Sequence, residues 1–234
     1  MALIQFYKMI KSKLAYIFLV LLVFLIYRYL PIAKSSTDLC MVAHLQNLPD
    51  CSSQVILVNH IKGFEAEVTA CKKHGHAWKQ VWSSFPAVVG KSGVAPLGEK
   101  REGDMKTPAG LYPLGDAFGS EPLALKMDFK YITADDKFID DVSHSGYNTW
   151  VKGNTNAKSY ETMLIDAYRI GAIVNYNMNP VIPGAGSAIF IHLWRSIHSG
   201  TYGCIAMDEP HLLKLLHWLD KDKHPYILIS GKFS

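Results

Sequence analysis

Short apolar runs separated by turn residues make up most of the chain after residue 53. Gln54–Asn59 is a continuous run rich in β-branched residues, and Phe64–Cys71 alternates loosely between apolar and polar positions. Trp78–Ser83 and Ala87–Val89 continue the series at similar spacing. We therefore predict an antiparallel β-meander at the start of a domain that covers residues 53–234, with Phe64–Cys71 as the hairpin partner of the first strand.

The second half of this domain adds further strands and two candidate helices. Tyr160–Tyr168 carries apolar residues on one side at helical spacing and is the first candidate. His211–Leu219 is the second, because leucines form a stripe along it and Asp208 is a favourable N-cap. Ile170–Tyr176 and Tyr226–Ser230 are predicted strands. The pattern as a whole predicts a mostly-β domain with one or two helices packed against it.

A glycine- and proline-rich stretch, residues 90–119, separates these two halves. This composition predicts an irregular backbone over most of the stretch, with a return to strand conformation at Leu111–Leu114. Long irregular segments inside compact domains usually build a functional surface. We therefore expect part of a binding or catalytic cleft here.

The N-terminal residues are strongly apolar. Leu14–Leu30 is interrupted only by Arg28, and three lysines precede it, so residues 1–33 are predicted to form a cytoplasmic tail and a single transmembrane helix. A signal peptide that is cleaved on export is the alternative interpretation. Residues 34–52 are predicted to be a linker, with a short helix at Leu39–Leu48. Both interpretations place the domain outside the cytoplasm.

Charge is distributed unevenly along the chain. The formal net charge is +4, but residues 1–34 hold five basic and no acidic side chains. The remainder has 19 basic and 20 acidic side chains, a net charge of −1. We therefore predict no nucleic-acid partner, because the domain lacks a basic footprint.

Four cysteines are available for disulfide or nucleophilic chemistry: Cys40, Cys51, Cys71 and Cys204. If Cys204 is reactive, an odd number remains, and at least one thiol stays free or pairs between chains. A Cys51–Cys71 disulfide is the favoured pairing, since it would tie the start of one strand to the end of the next. Reduced structural thiols throughout are the alternative.

A histidine and a cysteine lie close together near the end of the domain. His192 stands near the end of the apolar run Ser187–Leu193, and Cys204 follows twelve positions later, directly after Gly203. A cysteine nucleophile needs a base within reach and a small neighbouring residue that lets a carbonyl approach.

A zinc site is the other chemistry that these residues suggest. The candidate ligands are His192, His198, Cys204 and His211. Their intervals of six, six and seven residues do not match the tight ligand pairs of structural zinc sites. We predict neither a metal nor a cofactor.

Four segments of the domain resemble a known family. They are KREGDMKTPAGLYPLGDAFG (100–119), SGYN (145–148), PGAGSAIFIHLWR (183–195) and TYGCIAM (201–207). In this order they resemble the YkuD-type L,D-transpeptidase catalytic domain, in the branch whose cysteine motif is T-x-G-C. The resemblance covers about residues 53–230. It implies a β-sandwich-like fold with a cysteine at the bottom of a cleft, preceded here by the predicted transmembrane helix.

The resemblance also implies a reaction and its residues. The reaction is acyl transfer on peptidoglycan stem peptides, at the bond between the third residue and the terminal D-residue. Cys204 corresponds to the nucleophile and His192 to the general base. Gly203 corresponds to the residue that gives close backbone access, and the backbone N–H groups around Gly203 and Cys204 would form the oxyanion hole.

This chain departs from the commoner family pattern around the cysteine. Thr201 and Tyr202 replace a Ser-His pair, and Ala206 replaces an arginine that follows the cysteine. Arg195 is our candidate for the missing carboxylate-binding cation, because a guanidinium can form two hydrogen bonds with a carboxylate. The full set of predicted substrate-binding residues is Arg195, Tyr202, Thr201, Lys106, Tyr147 and Asn148.

The expected setting is the bacterial inner membrane, with a single span and the catalytic domain facing the periplasm or the cell wall. Two alternatives to transpeptidation remain open. An L,D-carboxypeptidase or hydrolase would transfer the same acyl group to water, and a non-catalytic cell-wall-binding module would leave Cys204 unreactive. The oligomeric state is not predicted.

Overall fold

A computed structural model describes Cys40 and residues 48–231 of the 234-residue chain. Within these residues, no helix is both long and apolar enough to cross a membrane. The predicted membrane segment at 1–33, and nearly all of the helix predicted at Leu39–Leu48, lie outside the described residues.

Strands dominate the described part of the chain, which contains a single ten-residue α-helix, α1 (Glu209–Trp218). The strands are β1 Gln54–Lys62, β2 Glu65–His74, β3 Ala77–Gln80, β4 Phe85–Val88, β5 Val94–Ala95, β6 Thr107–Pro108, β7 Gly110–Gly119, β8 Phe129–Tyr131, β9 Asp136–Ile139, β10 Trp150–Lys152, β11 Tyr160–Thr162, β12 Ile170–Val174, β13 Phe190–Leu193, β14 Ile205–Met207 and β15 Tyr226–Ser230. Short 3-10 helices cover Asp166–Tyr168 and Lys221–Lys223. The prediction of a mostly-β domain with a packed helix is confirmed.

One large sheet organises the fold. Its strand order is β1-β15-β7-β12-β13-β14-β4-β2-β3, with β8 attached to β7. Because β1 also pairs with β2, the hydrogen-bonded path closes into a ring of eight strands in the described chain. Closure leaves no free edge within the ring and encloses one face of the sheet.

Alternation along the ring strands sorts their side chains into two sets. All eight ring strands contribute to one enclosed cluster, which includes Ile56, Ile191, Ile205 and Ile227. The intervening residues point outward. Over β7, β12 and β13 they form a second cluster, which includes Phe190 and Cys204 and is completed by residues of the small sheet β10-β9-β11. The strand period of two therefore separates an aliphatic interior from an outer aromatic cluster.

The predicted first hairpin is confirmed, but the simple meander is wrong. β4 pairs with β2 rather than with β3, its predecessor in sequence. The ten-residue β2 accommodates both partners along one edge: residues 65–68 pair with β4 and residues 71–74 pair with β3. The length of β2, which sequence spacing did not reveal, makes this arrangement possible.

The glycine-rich stretch is more regular than predicted. β7 extends over Gly110–Gly119, well beyond the predicted Leu111–Leu114. It lies inside the sheet, with β15 on one edge and β12 on the other. Pairing on both edges supplies the backbone hydrogen bonds that hold this segment extended despite its composition.

The helix predicted at Tyr160–Tyr168 is wrong. Tyr160–Thr162 is strand β11, and Asp166–Tyr168 is a single 3-10 turn. The edge of β9 accepts β11 as a partner, with Glu161 opposite Phe138. Tertiary pairing thus overrides a local helical pattern.

The second predicted helix, α1, is confirmed. It begins at Glu209 directly after Asp208, whose side chain accepts a hydrogen bond from the His211 N–H at 2.9 Å. Its buried residues Leu212, Leu215 and Leu216 pack into the enclosed cluster.

The disulfide prediction is wrong in one partner. Cys71 is bonded to Cys40, whereas Cys51 is an exposed free thiol. Cys71 lies opposite Val55 in the sheet and packs with Cys40 in a third cluster on the outer side of β1, β2 and β15. Cys51 lies in an exposed turn before β1 and is not part of that cluster.

Candidate active site

Parallel pairing of β13 with β14 brings the candidate histidine and cysteine together. Ile191 lies opposite Ile205, which puts Cys204 opposite Phe190. In a parallel pair, opposite residues point to the same face, so Phe190, His192 and Cys204 share the outer face. The backbones of His192 and Cys204 are then about 8 Å apart, one strand across and two residues along, and both side chains can reach the same space.

The Cys204 side chain is buried, with 6% of the residue exposed. Its thiol donates to the Ala188 carbonyl at 3.2 Å, and Sγ accepts the Phe190 N–H at 3.4 Å. Burial raises the pKa of the thiol well above its usual range, and the nearby Glu161 raises it further. The neutral thiol is therefore the resting form at neutral pH.

The His192 ring is held in one tautomer. Nδ1 lies 2.8 Å from the Leu193 carbonyl oxygen, which can only accept, so this hydrogen bond assigns the ring proton to Nδ1 and leaves Nε2 as the acceptor. Burial lowers the pKa of His192 to about 4. The Tyr168 ring packs edge-on, 5.1 Å between centroids. A neutral imidazole with a free Nε2 is the form of a general base.

A cavity of about 450 Å³ opens beside this pair. Its wall includes both His192 and Cys204 together with residues from distant segments. The charged residues in the wall are Lys91, Lys100, Glu102, Asp140, Glu161 and Arg195. Within the described residues, no group of three or more His, Cys, Asp or Glu side chains is arranged to hold a metal ion.

Glu161 is a feature of the cavity that the sequence did not reveal. The Tyr168 hydroxyl donates a hydrogen bond to its Oε2. Burial raises the pKa of Glu161 to about 7, and the charges of Asp140 and Glu102 add to the rise. The mistaken helix at Tyr160–Tyr168 hid this residue, because only the strand period turns Glu161 inward between exposed Tyr160 and Thr162.

The turn before the cysteine is held by hydroxyl groups. Thr201 Oγ1 donates to the Cys204 carbonyl at 2.6 Å and accepts the Gly203 N–H at 3.1 Å. Thr107 Oγ1 donates to the same carbonyl at 3.3 Å. Gly203 has φ +147°, and a Cβ there would lie 3.1 Å from the Lys106 carbonyl oxygen. The turn thus depends on glycine at 203, and the Thr201 hydroxyl is engaged within it.

Two other predicted substrate-binding residues stand at the cavity. Arg195 and Tyr202 both line it and are both exposed. Tyr202 is 71% exposed, and the Lys91 ammonium lies 4.1 Å from the centre of its ring. These side chains are therefore available to a ligand that enters from solvent.

The remaining predicted substrate-binding residues, Lys106, Tyr147 and Asn148, do not line the cavity. The Tyr147 hydroxyl donates to Glu102 Oε2 at 2.5 Å and accepts the Gly186 N–H at 3.0 Å. The Asn148 amide bonds three backbone groups in segment 176–188 at 2.7–3.1 Å. Tyr147 and Asn148 thus hold the segment that leads into β13.

Comparison with known protein families finds one family model that matches most of the chain. Residues 65–227 match the family model of the YkuD L,D-transpeptidase catalytic domain. The chain belongs to this family. Membership supports a cell-wall function of the L,D-transpeptidase type, and the matched residues lie inside the predicted domain at 53–234.

The chain is also similar to a protein of known structure. The chain is similar to the helical cell shape determining protein Pgp2 from Campylobacter jejuni, at 18% identity and a TM-score of 0.44. The similarity covers 78% of this chain and 49% of that one, so the chain spans about half the length of that protein. No curated protein matches the chain.

Proposed function

We propose that the protein is a cysteine-dependent acyltransferase of the L,D-transpeptidase type that acts on peptidoglycan stem peptides. The observation that carries the proposal is the register of β13 and β14. Because of this register, a buried thiol and a neutral imidazole face the same cavity. Family membership supports the substrate class. The bond attacked would be that between stem-peptide residue 3 and the terminal D-residue.

The first half-reaction makes an acyl-enzyme. His192 Nε2 takes the proton from the Cys204 thiol as Sγ attacks the carbonyl carbon. The resulting oxyanion accepts a hydrogen bond from the Cys204 N–H, since the Gly203 N–H is already bonded to Thr201. The carbon–nitrogen bond then breaks, the leaving amine takes the proton from His192, and a thioester remains on Cys204.

The second half-reaction releases the acyl group. An acceptor amine attacks the thioester while His192 Nε2 takes its proton, and the proton returns to the sulfur as the carbon–sulfur bond breaks. The product is a new amide. If water attacks instead, the product is a free carboxylate and the enzyme is an L,D-carboxypeptidase.

Incubation with tetrapeptide muropeptides tests this function and separates the two outcomes by product analysis. We expect crosslinked dimers, and acylation of Cys204 by a carbapenem that is visible as an adduct mass. Cys204→Ala should abolish both, whereas Cys51→Ala, which removes the exposed free thiol, should leave both unchanged. Tripeptide monomers without dimers would assign hydrolysis, and unchanged product from Cys204→Ala would overturn cysteine catalysis.

We also propose that residues 14–30 anchor the domain on the outer side of the inner membrane. The apolar run supports an anchor, and the Cys40–Cys71 disulfide supports an oxidising compartment. Protease added to intact spheroplasts should digest the domain, and the membrane-bound protein should retain its N-terminus by mass. A domain protected until lysis would contradict this placement, and a mature protein that begins after residue 30 would show signal cleavage.

A further inference from the structure

Lys100 is a buried cation in the wall of the catalytic cavity. The residue is only 3% exposed, yet it lines the cavity together with Cys204. Its ammonium donates to Asp104 Oδ1 and to the Arg101 carbonyl, both at 2.7 Å. An ammonium has three N–H donors. Among the described residues these are the hydrogen bonds that Nζ makes, so one donor remains for a ligand.

Gly186 makes room for the Lys100 side chain, which also passes within van der Waals contact of the position of Gly203, beside the nucleophile. A Cβ at Gly186 would lie 3.0 Å from Lys100 Cγ and Cε, and a Cβ at Gly203 would lie 3.8 Å from Cε. Both glycines have positive φ, +103° and +147°. The lysine stem therefore passes between the segment that enters β13 and the residue that precedes Cys204. The charge of Lys100 also lowers the pKa of the Cys204 thiol, against the effect of burial.

Burying a lysine costs free energy, because the ammonium loses its hydration. Holding the loop through Asp104 does not require such burial, since an exposed lysine can make the same ion pair. The other cations in the cavity wall, Lys91 and Arg195, are exposed, and Lys91 already contacts the Tyr202 ring. Lys100 is thus the buried cation of this wall. Because charges attract each other more strongly away from water, an anion beside the thiol would bind Lys100 more strongly than an exposed cation.

Two of the three carboxylates of the same wall, Glu102 and Glu161, accept hydrogen bonds from hydroxyl groups. Glu102 Oε2 accepts hydrogen bonds from the hydroxyls of Tyr147 and Ser187, and Glu161 Oε2 accepts one from Tyr168. With a pKa of about 7, Glu161 is also substantially protonated at neutral pH. These contacts reduce the repulsion that an entering anion meets.

We propose that Lys100 is the carboxylate-binding residue of the cavity, and that its ammonium binds the terminal carboxylate of the donor peptide. This contact holds the preceding carbonyl against Cys204. Lys100, rather than Arg195, then takes the place expected for the missing arginine. The identity of the peptide rests on the proposed function, whereas the affinity for a carboxylate beside Cys204 rests on the cavity alone.

Alkylation of Cys204 by two matched reagents tests this affinity. Iodoacetate and iodoacetamide share the reacting methylene and the leaving group, but iodoacetate carries a carboxylate where iodoacetamide carries a neutral amide. The ratio of their rates therefore reports attraction of a carboxylate to the thiol, independent of thiol exposure and thiolate fraction. Site-resolved mass spectrometry on the full chain gives both rates at Cys204.

Lys100→Met should lower the iodoacetate-to-iodoacetamide ratio by about tenfold, the expected loss of one charge-assisted hydrogen bond. Lys100→Arg, which keeps the positive charge, should keep the iodoacetate-to-iodoacetamide ratio close to that of the unsubstituted protein. Lys106→Met is the matched control, since it removes the same charge from the same segment but lies outside the cavity wall. An unchanged ratio in Lys100→Met, or an equal fall in Lys106→Met, would overturn the proposal.

A measurement on the unsubstituted protein covers the case in which Lys100→Met does not fold. N-acetyl-D-alanine should slow alkylation of Cys204, and N-acetyl-D-alaninamide should not. Equal protection by both compounds, or no protection by either, would overturn the proposal, as would a Cys204 that reacts with neither reagent. A carboxylate-dependent ratio without any muropeptide product would leave the carboxylate site standing and remove the proposed function.

Discussion

The two faces of β13 and β14 carry opposite kinds of residue on the same backbone. Ile191 and Ile205 face the enclosed cluster, which all eight ring strands build from aliphatic and other apolar side chains. His192 and Cys204 are one residue away, and they face a cavity whose wall holds six charged side chains. Neighbouring positions along a strand thus serve packing on one side and chemistry on the other.

This contrast shows how a sheet can hold buried titratable groups on one face while its other face supplies the apolar burial that stabilises the fold. Burial shifts the pKa values of His192, Glu161 and Cys204 in the direction that disfavours the charged form. The enclosed cluster contains none of these groups and supplies apolar burial instead. Substitutions at neighbouring positions should therefore affect different properties, the reaction rate on the outer face and the unfolding free energy on the enclosed face.

The largest expected effect belongs to the outer face. His192→Gln removes the proposed base and should lower the rate of acyl-enzyme formation by about 10³-fold, which corresponds to about 4 kcal/mol. The unfolding free energy at pH 7 should change far less. The rate is measured by mass spectrometry of carbapenem acylation, with His198→Gln as the control, since His198 is an exposed neighbour. A His192→Gln variant that acylates at the normal rate would contradict the assignment of the base.

The next effect belongs to the enclosed face. Ile191→Ala removes a fully buried side chain and should reduce the unfolding free energy by about 2–5 kcal/mol, through lost burial and a residual cavity. Urea denaturation measures the change. Ile197→Ala is the matched control, because Ile197 is 41% exposed and should cost little. If Ile191→Ala and Ile197→Ala were equally stable, the enclosed face would not be the main source of stability.

The smallest effect is a difference in pH dependence. The fold raises the pKa of Glu161 from 4.5 to about 7, so its contribution lowers stability as pH rises from about 4.5 to 7. His192 acts in the opposite sense, because its lowered pKa makes stability rise between about pH 4 and 6.5. The two contributions largely cancel in the protein itself.

In Glu161→Gln, the increase in unfolding free energy that His192 causes is no longer offset by Glu161. This variant should therefore gain stability relative to the unsubstituted protein as the pH rises towards 7, by about 3 kcal/mol at most. Urea denaturation at several pH values between 4 and 7.5 measures the difference. Glu99→Gln, a change at an exposed carboxylate, is the control. Curves for Glu161→Gln and the unsubstituted protein that stay parallel across this range would show that Glu161 titrates as an exposed carboxylate does.

Local patterns identified several parts of the fold correctly. The strands at β1, β12 and β15 follow from apolar runs of suitable length, and α1 follows from its leucine stripe and the Asp208 N-cap. The errors fall where a distant partner decided the outcome. Tyr160–Tyr168 has a helical pattern, but the edge of β9 draws its first residues into a strand.

The candidate site divides in the same way. His192, Cys204 and Gly203 were identified from residue types, spacing and the family resemblance. Lys100 and Glu161 were not, because neither residue is near Cys204 in sequence and a lone Lys or Glu is usually solvated. Segment 100–119 contains Lys100 within the family resemblance, but nothing in its pattern marks this lysine as buried.

The sequence by itself determined the alternation that gives each strand two faces, the start of α1, and the residue types needed for cysteine chemistry. These properties depend on neighbours within a few positions. Only the tertiary structure decided the register of β13 against β14, the Cys40 partner of Cys71, and the burial of Lys100 between Gly186 and Gly203. Each of these depends on pairing or packing between segments far apart in the chain, which local periodicity does not encode.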